Sequence, residues 1–355
     1  MSLVGLSVRN LRIIKSADIG LSPSLNLIVG ANAAGKTSLL EAAYFLSTGR
    51  SFRTSRVLDL MRTGADAVLV RGEVAGADGV GTMIGVERSA AGTRARVGGQ
   101  PVGAIVELAE RLPVVAVYPE GENLLTGPPA LRRGLVDWGL FHRDPGFREL
   151  RGRYLRALRQ RNAALRGGGA PAVVAAWEDE LGETGERLGG LRAGYVEALN
   201  QAIGTLPFGT GAELVYRAGW DREAGLSAVL EVERERDRTQ GFTRAGAHRD
   251  DIGFRLDGQV GRRVASRGQQ KMISAAVRLG QLRVLGQETG KRGLVLVDDL
   301  PSELDSERRG VLSEALAASG AQVMVSAIER TGVPVACWSD QRVFHVEHGD
   351  IRELI

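Results

Sequence analysis

The chain has 355 residues, 43% of them hydrophobic, which is enough for a substantial core and for roughly two or three lobes. Its one cysteine, Cys337, excludes an intramolecular disulfide, fits a reducing compartment and reads as a small core residue. The net charge of +4 permits a polyanionic partner without requiring one. With no charged-then-apolar leader and no long apolar span, the expectation is a cytoplasmic chain with no membrane partner.

Taken in chain order, Leu25–Val29 is a short apolar run that predicts a buried strand. Gly30-Ala31-Asn32-Ala33-Ala34-Gly35-Lys36-Thr37-Ser38 follows at once. Leu39, Leu40, Ala43 and Leu46 then recur at helical spacing. Strand, glycine loop and helix together are the context of a phosphate-binding loop. Residues 66–104 alternate apolar and polar between glycine pairs, which predicts β-hairpins. Gly79 and Gly81 lack a third glycine at 84, so they fail as a dinucleotide fingerprint.

From Pro129 to about Leu206 the period becomes helical. Phe147, Leu150, Tyr154, Leu158 and Leu165 share one face, and Gly167 to Pro171 break the pattern. Val174, Trp177, Leu181, Thr184, Leu188, Leu191 and Tyr195 then alternate spacings of three and four. That is a heptad seam, and it predicts a short antiparallel coiled coil. Ten arginines against three acids give residues 131–166 a net charge of +7, while residues 172–200 carry −4. Arg148, Arg156 and Arg159, with Arg166, lie along one side of the first helix. Phosphate contact with nucleic acid and ion pairing with the acidic second helix both account for them.

The C-terminal part returns to α/β character. A helix is expected over residues 269–285, with buried strands at 294–297 and 321–325 and a last strand at 343–346. The apolar run Leu294–Val297 ends in Asp298-Asp299, 262 residues after Lys36.

These residues assign a chemistry. Gly30 and Gly35 let backbone N–H groups face a phosphate, with Ala31, Asn32, Ala33, Ala34 and Ser38 completing the cradle. Lys36 reaches the β- and γ-phosphates, and the Thr37 hydroxyl is a Mg²⁺ ligand. Asp298, at the carboxyl end of its strand, joins the Mg²⁺ shell, and Asp299 is placed to polarise the attacking water. ATP and Mg²⁺ are the expected cofactors. His248-Arg249-Asp250-Asp251 fits a nucleotide-lining role, a coupling role or a structural turn; His345 and His348 fall on opposite faces of a strand and are not a metal pair.

Thirty-two residues before Asp298, Ser266-Arg267-Gly268-Gln269-Gln270-Lys271 opens a helix, and Leu300-Pro-Ser302-Glu-Leu-Asp305 follows Asp299. These resemble the signature and the D-loop of ABC-type ATPases. In that class the signature, here Ser266, Gly268 and Gln269, contacts ATP held by a second subunit. Ser302 and Asp305 stand in the D-loop. Two ATPs are then expected to join two chains head to tail.

The resemblance narrows to the RecF family of bacterial repair ATPases, relatives of SMC heads. It runs through Gly35 to Ala42, Thr48-Gly-Arg50-Ser-Phe-Arg53, Tyr118-Pro-Glu120, Pro129 to Asp137, Gly246 to Asp251, the signature, and Val297 to Asp305. It implies an α/β fold: an ABC-type P-loop ATPase lobe (a mixed sheet with a β-hairpin subdomain) bearing an inserted helical, short coiled-coil lobe. The expected boundaries are 1–130 and 241–355 for the ATPase lobe and 131–240 for the insertion. The resemblance also implies a homodimer formed with ATP, binding to gapped DNA and single-strand/double-strand junctions, slow DNA-dependent hydrolysis, and RecO and RecR as partners in loading RecA. An ABC subunit of another machine, such as a transporter, is the rival reading. Three departures from the wider class stand out. Asp299 replaces glutamate, Ser326 stands near the place of the switch histidine, and no Q-loop glutamine is evident near residues 119–123.

Overall fold

The computed structural model describes residues 1–354 other than 55, 77–78, 118–123, 209–210 and 261–264. The chain forms two units. The first is Met1–Asn123, Leu206–Gly209 and Ser266–Ile355; the second is Leu124–Thr205 and Thr210–Ala265.

The first unit begins with β1 (Ser2–Leu11), β2 (Ile14–Gly20), β3 (Leu25–Val29), α1 (Lys36–Thr48) and α2 (Val57–Leu60). It continues through β4 (Ala67–Ala75), β5 (Gly81–Ser89), β6 (Gly92–Val97), β7 (Gln100–Pro101), α3 (Val106–Arg111) and β8 (Val114–Val117). The second unit holds α4 (Pro129–Arg143), α5 (Phe147–Arg166), α6 (Pro171–Ala175), α7 (Glu178–Gly204), β9 (Ala212–Arg217), α8 (Leu226–Gln240), β10 (Asp251–Leu256) and β11 (Gln259–Val260). The chain then returns to the first unit with α9 (Arg267–Thr289), β12 (Leu294–Val297), α10 (Ser306–Ala318), β13 (Gln322–Ala327), β14 (Gln341–Glu347) and β15 (Asp350–Leu354).

Two sheets build the first unit. One is antiparallel, in the order β2-β1-β4-β5-β6-β7, as the alternating pattern of residues 66–104 predicts. The other runs β15-β14-β3-β13-β12-β8 and is parallel apart from β15 at its edge. Its central strands β3, β12 and β13 are buried along their whole length. That is why they read as continuous apolar runs and not as alternations. Helix α1 packs against strands of both sheets and is buried nearly all round for that reason. Leu39, Leu40, Phe45 and Leu46 are fully buried or almost so, each contributing about 2 kcal/mol. Gln322, itself buried, ties the two sheets together: its amide donates to the Leu3 and Ser22 carbonyls and its oxygen accepts from the Leu3 N–H.

In the second unit α5 and α7 run antiparallel, with Tyr154 against Gly185 and Arg161 against Glu178. The predicted seam is buried at Val174, Leu181, Thr184, Leu188 and Tyr195. α7 also packs against α4, α8 and β9, so its apolar surface is wider than a two-helix seam. The end of the helical region departs from the expected boundary at 240. Strand β10 pairs antiparallel with β9 and with β11, so residues 251–260 belong to the second unit and add a three-stranded sheet to it. The sequence hides this boundary because the partner strand of β10 lies before the charged helix α8. Cys337 corrects a second expectation: it is exposed, in the loop before β14, where no strand or helix buries it.

Candidate nucleotide site

The order β3-β13-β12 in the parallel sheet brings the distant motifs together. The glycine loop leaves the carboxyl end of β3, Asp298 leaves that of β12, and β13 runs between them. Strands about 4.8 Å apart set the two ends roughly 10 Å from each other, within reach of side chains. Ligand sites in open α/β sheets lie at this edge.

The loop is fixed by its glycines. Gly30 has φ 155° and a Cβ there would sit 2.2 Å from the Val346 carbonyl oxygen. No other residue fits without moving β14. The Gly349 N–H, in the tight turn between β14 and β15, donates to the Ala34 carbonyl at 2.8 Å and braces the loop from the C-terminal hairpin. Ala33 adopts φ 62°, which is costly for a residue with a side chain and marks a specialised backbone. The Lys36 ammonium turns back on the loop, donating to the carbonyls of Gly30 at 2.7 Å and Ala31 at 2.8 Å. Burial lowers its pKa, which Asp299 and Asp298 partly oppose.

The Thr37 hydroxyl lies 3.0 Å from both oxygens of Asp298. Asp298 also accepts from the Ser326 hydroxyl at 2.6 Å, and the Asp299 N–H donates to the same hydroxyl at 2.8 Å. Ser326 is fully buried at the end of β13. A hydroxyl and a carboxylate side by side, both hard oxygen donors next to a glycine loop, suit Mg²⁺ held with phosphates.

Ser266 caps α9 through a reciprocal pair. Its hydroxyl accepts from the Gln269 N–H and the Gln269 side chain accepts from the Ser266 N–H. Ser266 and Arg267 are exposed or partly so, while Gly268 is buried. Asp305 caps α10 by accepting from the Arg308 N–H at 2.8 Å, and the Ser302 N–H donates to the Asp299 carbonyl.

Four features of the site are not announced by the sequence. Glu41, fully buried on α1, takes a bidentate pair from Arg12 at 2.8 Å and a short hydrogen bond from Ser51. Its one signal is an acid on an otherwise apolar helix face. Ser326 is visible only by position. The bracing turn at Gly349 leaves no trace beyond an ordinary glycine. Lys271 shows only as a lysine in a chain that has four lysines among 46 basic residues. Tyr118, Pro119 and Glu120, with the stretch to 123 where a Q-loop is expected, lie outside the described residues.

In the second unit His248, Asp250 and Asp251 make an internal network. The His248 ring accepts from Tyr154 and donates to the Thr243 carbonyl, an assignment that follows from the carbonyl being acceptor only. Asp250 pairs with Arg192 at 2.8 Å, and Asp251 with Arg132 at 2.7 Å. The arginines of α5 divide in two. Arg151, Arg153 and Arg161 pair with Asp137, Glu180 and Glu178. Arg148, Arg156, Arg159 and Arg166 are exposed and make no hydrogen bond or salt bridge among the described residues, although the Arg153 hydrogen bond is helped by the charge of Arg156 in holding the Glu180 carboxylate below its ordinary pKa.

The fold and the glycine loop define an ABC-type P-loop ATPase head. The profile of the RecF/RecN/SMC N-terminal domain matches residues 2–351, and the chain belongs to this family, within its RecF branch. It is 41% identical to the DNA replication and repair protein RecF of Thioalkalivibrio sulfidiphilus, over 99% of each chain. Among solved structures it resembles the recombination mediator protein RecF-ATP of the RecFOR pathway, with TM-score 0.85, 25% identity and coverage of 100% and 98% of the two chains. An Smc head bound to the C-terminal winged-helix domain of ScpA shares the fold at TM-score 0.58 and 16% identity, covering 100% and 97%. No helix among the described residues is long and apolar enough to cross a membrane.

Proposed function

We propose that this chain is an ATP-gated DNA-binding protein of replication and recombinational repair, which dimerises head to tail on ATP and separates after slow hydrolysis. The observation that carries the reading is the 3.0 Å contact of Thr37 with Asp298, which joins a glycine loop to a strand-end acid 261 residues away. In this reading Gly30 to Ser38 cradle the phosphates and Lys36 leaves its loop carbonyls for them. Thr37 and Asp298 would hold Mg²⁺, which supplies charge neutralisation and orientation of the phosphates when bound. Asp299 orients the attacking water.

Each chain supplies the cradle and the acids. Ser266, Gly268 and Gln269 serve the partner's ATP, with Ser302 and Asp305 in the D-loop between them. An exposed helix start that carries a hydroxyl and N–H groups suits an anion brought by another molecule. The relatives named for DNA replication and repair support the nucleic-acid partner. The RecFOR context of the matched structures supports RecO and RecR as protein partners. The α5 arginines without a salt bridge support phosphate contact there, because Glu180 and Glu178 of α7 already make their close salt bridges with Arg153 and Arg161.

Sedimentation with and without ATP and gapped duplex DNA tests the reading. The expected result is an ATP-dependent dimer that co-sediments with DNA and is abolished in Lys36→Ala. A Lys36→Ala protein that still dimerises on ATP overturns it.

A further inference from the structure

The start of α9 and the turn after β12 are locked together within one chain. Gly268 is pressed so close to the Glu303 carbonyl that a Cβ there would lie 2.8 Å from it. One helical turn on, Lys271 is buried and points its ammonium into the same turn. It donates to three backbone carbonyls, Asp299 at 2.6 Å, Ser302 at 2.9 Å and Leu300 at 3.3 Å. An ammonium has three N–H donors, and all three are used. The turn needs such a clamp: Asp299 and Glu303 both adopt left-handed φ, 48° and 65°, which residues with side chains rarely hold without support.

We propose that Lys271 is a positioning residue that makes Asp299 follow the position of Ser266 in the same chain, and so couples the two ATP sites of a dimer. The proposal rests on the head-to-tail reading above. There, Ser266 touches the partner's ATP while Asp299 works on the chain's own. A shift of the α9 start on meeting a phosphate is passed through Lys271 to the turn that carries Asp299. Each site then senses whether the other is filled, and hydrolysis becomes cooperative in ATP.

The test is ATP hydrolysis against ATP concentration, with sedimentation alongside, for wild type, Lys271→Met and Lys271→Arg. Wild type is expected to show a Hill coefficient approaching about 2, the ceiling for two sites. Lys271→Met should still bind ATP as a monomer within about twofold, with the Hill coefficient below the wild-type value and turnover about tenfold lower, as removal of a charged hydrogen-bond set implies. Lys271→Arg should recover part of the cooperativity.

A second arm needs no substitution. Burial holds the lysine pKa down at about 8, against the pull of Asp299, Glu303 and Asp298. Arg267 and Arg308 are the nearby cations. Raising the pH from about 7 to about 9 should therefore lower the Hill coefficient of wild type and leave Lys271→Arg unchanged. This arm decides the matter if Lys271→Met does not fold.

An ATP-driven dimer with a Hill coefficient unaffected by Lys271→Met, or by pH in wild type, overturns the coupling and leaves the dimer reading standing. A wild type that never dimerises on ATP overturns the dimer reading itself.

Discussion

Ser326 donates its hydroxyl to Asp298 at 2.6 Å while accepting the Asp299 N–H at 2.8 Å, so one buried residue on β13 fixes both acids at the end of β12. Beside transporter-type ATPases this place looks like a missing switch histidine. The geometry gives it a different task, since a short hydroxyl orients carboxylates without reaching far beyond them. Ser326→Ala removes a hydrogen bond to a charged group, which is worth about 1.5–3 kcal/mol. ATP hydrolysis is expected to fall at least tenfold, with ATP affinity changing less than threefold because the loop contacts survive. Steady-state turnover measured beside equilibrium nucleotide binding checks this, and equal falls in both would assign Ser326 to binding.

Arg161 is the largest fully buried side chain among the described residues and stands between Glu178 at 2.9 Å and Asp237 at 2.7 Å, with Thr243 as a further partner. This cluster joins α5, α7 and α8. Arg161→Met keeps the volume but leaves two carboxylates facing an apolar side chain. Removing one partner of a buried pair costs about 3–5 kcal/mol. Urea denaturation should show that cost, whereas Arg153→Met, at a solvent-accessible pair with Glu180, should leave the midpoint nearly unchanged because water screens that pair.

His248 gives the second unit a predictable response to acid. Burial is the main cause that holds its pKa near 4, below the ordinary 6.5. The unfolded chain therefore takes up a proton through pH 6.5 that the folded chain refuses until about pH 4. The stability contributed by the neutral ring is complete above the unfolded value and is lost as the pH falls through this window. The size over the whole window is about 3 kcal/mol. Asp237 and Asp250, whose pKa values burial raises, slope the other way. The readout is therefore a difference: wild type should lose more stability than His248→Gln between about pH 7 and pH 5. Parallel stability curves would rule out the buried neutral ring.

What the sequence makes legible divides by the range of the signal. The glycine loop, the first helix and the strand ending in Asp298 are local patterns, and each is found where its residues predict it. The contact of Thr37 with Asp298 follows from motif chemistry. Contacts without a side-chain pattern are not legible. Lys271 is held by carbonyls, which every residue has, so nothing at 299–302 announces an acceptor. Arg192 and Asp250 are 58 positions apart, and no period links them. The pairing of β9 with β10 is masked by α8, whose run of charges resembles part of a solvated helical arm. Cys337 defeats the reading from composition, which gives the habit of a residue type and not the loop that exposes it.

The α5 arginines allow the sharpest test of the nucleic-acid face. Charge alone leaves ion pairing with α7 equally open, but Arg153 and Arg161 occupy Glu180 and Glu178. Arg148, Arg156 and Arg159 keep their guanidinium groups exposed on one side of the helix. Arg148 and Arg159 are eleven residues apart, a span of roughly 16 Å along the axis, enough to follow a few successive phosphates. The triple change to Glu should weaken binding to gapped DNA by more than tenfold. For every phosphate that an arginine no longer neutralises, the slope of log affinity against log salt should flatten by about 0.9 on duplex. Arg153→Glu, which breaks a pair inside the lobe, should leave that slope alone. The comparison separates phosphate binding from a change in fold or net charge: a general charge effect would lower affinity in both proteins, and only the removal of a phosphate-binding arginine lowers the slope in one.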